Sequence, residues 1–377
     1  MTSTTRRNVA VVGSAQTDLR TAWSDRQHVD LISEAVTRAL LGTGLRIEDV
    51  DFVIDSGSDF LDGRSISNCG FLGALGAHHK EESRVEEDGL WAALYAATKI
   101  AAGSASVGLV IAYSKSSESD PSQYWTSLTE PFTQRPVGLD DEAAAGLFAQ
   151  RYLASSGLRP DDLRAVTRKA WAAASANAAT DASLDDLTDD FWSEEVATPL
   201  RRSDFSRTAD GAVAVVLAGT AAARQIGGDP VWVTGFGSAI DQHFIAAREL
   251  DAFPAAAAAA RQAYRIAGVP DSSSFDLVEV SATSTVGELM VLEALGLAEK
   301  GRAIDLYADG AGTGINQSGG TLPSNVVMAS GLLRLHEVAS QLSGRSDRPA
   351  GDARRGLAHG VGGLGMQNHC VLTLETA

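Results

Sequence analysis

The 377-residue chain is long enough for two ordinary domains, and its 44% apolar and 21% charged residues suit a folded protein with a sizeable core. Its 48 acidic against 31 basic residues give a formal net charge of -17, which excludes a general nucleic-acid-binding surface and leaves room only for a local basic patch toward an anionic ligand. Cys69 and Cys370 lie far apart without CxxC spacing, which excludes a disulfide framework or zinc site and fits a reducing compartment.

The N-terminal stretch carries two arginines and passes straight into a strand-like run, Asn8–Gly13. It lacks the apolar segment and cleavage site of a signal peptide. No apolar run reaches the roughly 18 residues needed to span a membrane. A cytoplasmic protein is therefore expected.

Residues 30–41 carry Leu31, Ala35 and Leu40 at helical spacing and end near Gly42 and Gly44. Strands are expected at 51–54 and 107–112, with a helix over 90–101 between them. Residues 114–202 are polar and irregular, apart from helical patterns at 141–153 and around 168–178. An insertion of that length usually covers a site or makes a subunit contact. The second half offers a strand at 230–235, a helix at 254–267 and a strand at 275–280. Alternation of this kind indicates an α/β protein.

The two halves also resemble each other. Residues 35–54 and 260–280 both run helix, glycine, short loop, then an aspartate beside an apolar strand. The helix and strand of 89–113 match the helix 329–342 followed by Asn368–Glu375. A tandem duplication is expected, with an N-terminal half 1–222 carrying the insertion and a C-terminal half 223–377.

Four segments, in order, carry a family resemblance: Thr208–Leu217 with its Asp-Gly-Ala, Glu279–Leu297, Ile315–Gly320, and Gly356–Gly363. Together they resemble the thiolase superfamily over nearly the whole chain, particularly the thiolase part of sterol-carrier-protein-x and the bacterial lipid-transfer-protein thiolases. The resemblance implies a thiolase fold: two duplicated βαβαβαββ halves in a five-layered αβαβα sandwich, usually dimeric.

A working thiolase carries a nucleophilic Cys at a helix N-terminus, where the helix dipole and a histidine favour the thiolate. Here that position falls at about Glu86, which reads either as a functional carboxylate or as part of a Ser83-x-x-Glu86 capping box. The family's HDCF stretch is Ser281–Ser284, and its GHP histidine is missing near Asn325. Asn325 is a candidate oxyanion donor or a helix cap. His359, in the glycine-rich segment, is a candidate acid or base or a packed loop residue. Glu288 and Glu279 are candidate general bases if buried, or else solvated or salt-bridged carboxylates. Ser281, Asn316, Ser318, Gly319 and Gly320 are candidate lining residues for a bound CoA thioester. Both cysteines read as small core residues. His78-His79 reads as a surface turn, and Gly310–Gly320 lacks the lysine and order of a phosphate-binding loop.

Two functions follow from the resemblance. One is a retro-aldol lyase acting on a β-hydroxyacyl-CoA, a reaction that needs no covalent acyl-enzyme. The other is a catalytically inactive subunit that supports an active thiolase-like partner. A true acyl-CoA acyltransferase ranks third, because the residues argue against it. The implied partners are a second copy, a second thiolase-like subunit in a heterotetramer, or a small OB-fold, zinc-ribbon protein. No covalently bound cofactor and no metal are expected, with the CoA thioester as substrate. The family's aldolases use tyrosines in the site, whereas Gly360 and Val361 follow His359 here.

Overall fold

The computed structural model describes residues 8–63, 65–308, 311–348 and 351–377. The glycine-dense segment and the loop after Ser343 thus lie partly outside the described residues. The first half runs β1 (Val9–Gln16), α1 (His28–Leu41), β2 (Phe52–Ser56), β3 (Glu81–Val85), α2 (Gly89–Ala101), β4 (Val107–Ser114), and after the insertion β5 (Gly211–Gly219). The insertion contributes α3 (Pro121–Leu128), α4 (Asp141–Ser156) and α5 (Arg164–Ser175). The second half runs β6 (Val231–Ile240), α6 (Pro254–Ala267), β7 (Leu277–Glu279), α7 (Thr285–Ala294), α8 (Ser330–Leu342), β8 (Arg355–Gly362) and β9 (Asn368–Glu375).

One nine-stranded sheet has the order β3-β2-β4-β5-β1-β6-β9-β8-β7. It reads symmetrically outward from the β1–β6 junction, where Ala10 pairs with Trp232 and Val11 with Val231. On either side come two antiparallel neighbours and then a parallel one: β5, β4, β2 in the first half and β9, β8, β7 in the second. Beyond β2 lies parallel β3; beyond β7 its counterpart shrinks to one parallel bridge, Val278 with Ile315. The duplication is therefore present in the topology. One detail of the sequence reading is corrected: the counterpart of β4 is β8, and Asn368–Glu375 corresponds to β5.

Three cores make the layers. α1 buries Leu31, Ile32, Ala35, Val36, Ala39 and Leu40 against one face of the first sheet arm. α2 and α8 lie between the two arms, packed against Val213 and Val215 of β5 and Cys370 and Leu372 of β9. α6 and α7 cover the outer face of the second arm, and Phe148 of α4 and Trp171 of α5 join that same core. Five layers result, αβαβα, and the insertion's helices thicken the outermost. No helix among the described residues is long and apolar enough to cross a membrane.

Candidate functional site

Both central helices start at one point. Asp88 caps α2 by accepting the Leu90 N–H at 2.9 Å, and its other oxygen accepts the Gly331 N–H of α8 at 2.8 Å. This carboxylate from the first half thus holds the positive ends of two helix dipoles, one from each half. A Cβ on Gly331 or Gly360 would press on the Asp88 carboxylate, so both positions are glycine for a reason of space. Burial pushes the Asp88 pKa up to about 7 despite the two amide donors. Asp88→Ala strands two buried helix N–H groups, and a loss of about 2–5 kcal/mol is expected in chemical denaturation.

Over this floor lies a narrow cleft, with about 430 Å³ of open space that includes the solvent at its mouth. Its walls are Glu87 and Asp88, the Ser281–Thr283 turn after β7, Asn325 and Met328 before α8, and Val361–Gly363 at the end of β8. Trp125 of α3 lines this cleft and also a neighbouring open pocket, in which Phe205, Asp140, Asp141 and Glu142 take part.

Of the sequence candidates Glu86, Ser281, Asn325 and His359, Ser281 and Asn325 line the cleft; Glu86 and His359 do not. Glu86 points outward, accepting the Asp59 N–H at 2.7 Å and facing Arg84 at 3.4 Å. No capping box forms at Ser83, because Ser83 lies within β3 and α2 is capped by Asp88. The carboxylate that faces the cleft is Glu87, one residue on. Its Oε2 accepts from Asn368 Nδ2 at 2.6 Å, and a Cβ on Gly362 would overlap its Oε1. Burial raises the Glu87 pKa.

His359 is fully buried on the opposite face of β8. Its Nε2 meets His369 Nδ1 at 3.0 Å, and the two rings stack at 5.3 Å. Desolvation pulls the His359 pKa down to about 3, so the ring stays neutral at ordinary pH. The structure corrects its assignment as an acid or base of the cleft. Cys370 alternates to the central layer, buried, with its thiol pushed well above the ordinary value by burial. Cys69 is exposed on a short turn, which corrects its reading as a core residue. Among the described residues no cysteine or histidine lines the cleft.

Asn325 is engaged on both sides: Nδ2 donates to Ser206 Oγ at 3.0 Å, and Oδ1 accepts from Ser330 Oγ at 2.6 Å. It ties the entry to α8 without capping the helix, whose Gly331 N–H is served by Asp88. Ser281 is different. It is fully buried, it lines the cleft, and its Oγ has no hydrogen-bond partner among the described residues.

The remaining candidates belong to packing. Glu288 is buried beneath Tyr307, which donates to its Oε1, and burial raises its pKa. Glu279 is the salt-bridged case: Arg334 Nη1 lies 3.0 Å from Oε2, and Ser318 donates to it from both N and Oγ. Asn316 accepts the Val280 N–H at 2.7 Å, while Gly319 and Gly320 make room for Ala174 and Asn316. The Asn316–Gly320 loop therefore braces the back of β7 and stands away from the cleft, where Thr321 takes its place.

A family model described as "Thiolase C-terminal domain-like" matches residues 237–376. The 17-hydroxy-3-oxo-4-pregnene-20-carboxyl-CoA lyase of Mycobacterium tuberculosis is 30% identical, over 90% of this chain and 92% of its own length. The chain belongs to the thiolase superfamily. Within that superfamily it is also similar to the acetyl-CoA acetyltransferase of Methanothermobacter thermautotrophicus, at 27% identity over 95% of this chain and 97% of that protein. The steroid side-chain-cleaving aldolase of Thermomonospora curvata is 28% identical over 80% of each. Among solved structures, one described as "Ltp2-ChsH2(DUF35) aldolase" shares the thiolase fold, with a TM-score of 0.82 over 98% of both chains at 23% identity.

The residues missed by sequence reasoning are Glu87, Asp88 and Trp125. The run Glu86-Glu87-Asp88 announced a helix start, but three consecutive acids hid which one faces inward. Trp125 carried no motif at all.

Proposed function

We propose that this thiolase-superfamily protein is a retro-aldol carbon–carbon lyase for β-hydroxyacyl-CoA thioesters, working with a second subunit. The observation that carries the proposal is Glu87: a carboxylate of raised pKa facing a cleft that holds neither thiol nor imidazole among the described residues. Retro-aldol cleavage asks for a base at the β-hydroxyl and a donor at the thioester oxygen. Glu87 removes the hydroxyl proton, the Cα–Cβ bond breaks to release a ketone or aldehyde, and the electron pair passes into the thioester enolate. The unpartnered Ser281 hydroxyl donates to the enolate oxygen, and a proton from water at Cα completes the shortened thioester. No acyl-enzyme forms, so no sulfur nucleophile is needed.

Relatives described as a carboxyl-CoA lyase and a steroid side-chain-cleaving aldolase support this reaction class. The two-component description of the similar aldolase structure supports a partner subunit, which we assign to the small OB-fold, zinc-ribbon type. A bulky acyl group suits the Trp125 boundary between the two cavities. Trp125→Ala is expected to raise KM for a polycyclic β-hydroxyacyl-CoA roughly 10–100-fold through lost apolar contact. kcat should change less than threefold, as steady-state kinetics would show.

The second reading, an inactive subunit supporting a catalytic partner, is favoured by the sealing of His359 and by the occupation of both Asp88 oxygens. The deciding experiment assays the chain alone and with its partner on 17-hydroxy-3-oxo-4-pregnene-20-carboxyl-CoA. Cleavage that collapses with Glu87→Gln supports the lyase; cleavage by the pair that ignores this change supports the scaffold.

A further inference from the structure

The wall of the cleft formed by Val361–Met366 turns through three left-handed residues: Gly363 at φ +70°, Gly365 at +57° and Met366 at +54°. A methionine in that region is unfavourable, so the surrounding structure must impose it. Two buried charges grip the turn from opposite sides. Asp141, the first residue of α4 in the insertion, accepts the Gly365 N–H at 2.8 Å. Arg248, from the segment after β6, donates through Nη1 to the carbonyls of Leu364 at 2.9 Å and Gly365 at 3.1 Å. Its remaining nitrogens hold Gln242 and His243 carbonyls at 2.5 and 3.2 Å.

Asp141 and Arg248 are each 8% exposed, and each bonds the backbone of the turn. The peptide joining Leu364 and Gly365 sits between them, its N–H toward the anion and its C=O toward the cation, so its dipole lies along the field of the pair. A Cβ on Gly365 would crowd Ala144 and Phe148 of α4 and Ile245, at 3.0–3.2 Å, so the turn is also nested sterically.

We propose that Asp141 and Arg248 are positioning residues, a charge clamp that fixes the glycine turn and so sets the wall of the cleft that Ser281 also lines. This rests on reading the cleft as the lyase site. The clamp makes the insertion part of the active site: α4 sets the substrate wall through the Gly365 turn. Shifts of about 1 Å in such a wall cost on the order of 100-fold in rate.

The test compares Asp141→Ala, Asp141→Asn and Arg248→Lys with wild type in the complex with its partner. Hydrogen exchange is followed over the peptide 361–367, and kcat on 17-hydroxy-3-oxo-4-pregnene-20-carboxyl-CoA well below the melting temperature. Asp141→Ala should exchange at least tenfold faster in that peptide, with α4 unchanged, and lose roughly 10–100-fold in kcat. Asp141→Asn keeps an acceptor for the Gly365 N–H and should recover most of both; Arg248→Lys, with one donor point in place of a fork, should fall between. Unchanged exchange in Asp141→Ala overturns the clamp, and faster exchange with unchanged kcat overturns the positioning role. A wild-type complex that cleaves nothing sinks the lyase reading instead, and the exchange comparison then decides the clamp by itself.

Discussion

Glu87→Gln is expected to lower the turnover of β-hydroxyacyl-CoA cleavage by about 10²–10⁴-fold, the usual effect of removing a general base. Glutamine keeps the side-chain volume and can still receive the Asn368 amide, so the cleft should stay formed and KM should move little. The pH dependence follows from the raised pKa of Glu87. A base acts only when ionised, so the rate should fall as pH drops through that pKa, at a higher pH than an ordinary glutamate would give. A wild-type acid limb that disappears from the residual rate of Glu87→Gln, in stopped-time product assays, checks both statements together. Gly362→Ala provides a steric counterpart, because the added methyl would displace the same carboxylate.

Arg334→Met is expected to cost about 3–5 kcal/mol of stability, because it leaves the Glu279 carboxylate buried without its cation. Arg334 and Glu279 are 3% and 1% exposed, with the ion pair closed by Ser318 and by Gln341 at 3.2 Å. Burial holds the folded-state pKa of Glu279 above its ordinary 4.5 even with Arg334 beside it. The folded state therefore binds this proton more tightly than the unfolded state, and the contribution is lost as pH rises through the folded pKa. Removing Arg334 should push that window upward. Urea denaturation at several pH values would show it, and the double variant Arg334→Met with Glu279→Gln should recover most of the loss.

How far the sequence could be read depended on whether a feature is local. The helix at 254–267 was legible to its ends, because Pro254 opens it and Gly268, at φ +70°, closes it. The repeat was legible where both copies keep apolar strands. It slipped at β4, whose counterpart β8 is interrupted by glycines. Those glycines answer to distant side chains: Gly356 to Val338, Gly360 to Asp88 and Gly362 to Glu87. An apolar-pattern match therefore chose β9, the more strand-like neighbour.

The site followed the same rule. The segments that meet at the cleft were found, but within two of them the register was off. The pairing of β2 with β3 and the Asp88 cap turn Glu87 inward and Glu86 outward, and both are tertiary facts. His359 looked available because glycines surround it, yet strand alternation sends it to the layer where it meets His369, whose ring in turn lies against Phe253. Trp125 could not be placed from sequence, since it comes from an insertion with no counterpart in the second half.

Intact-protein mass spectrometry during a single turnover, with the partner and 17-hydroxy-3-oxo-4-pregnene-20-carboxyl-CoA, tests most directly whether a carboxylate has taken over from sulfur here. The expected record shows a ketone and a shortened thioester accumulating while the protein mass never changes. An acyl adduct on Cys370 that forms and decays at the rate of turnover would contradict it.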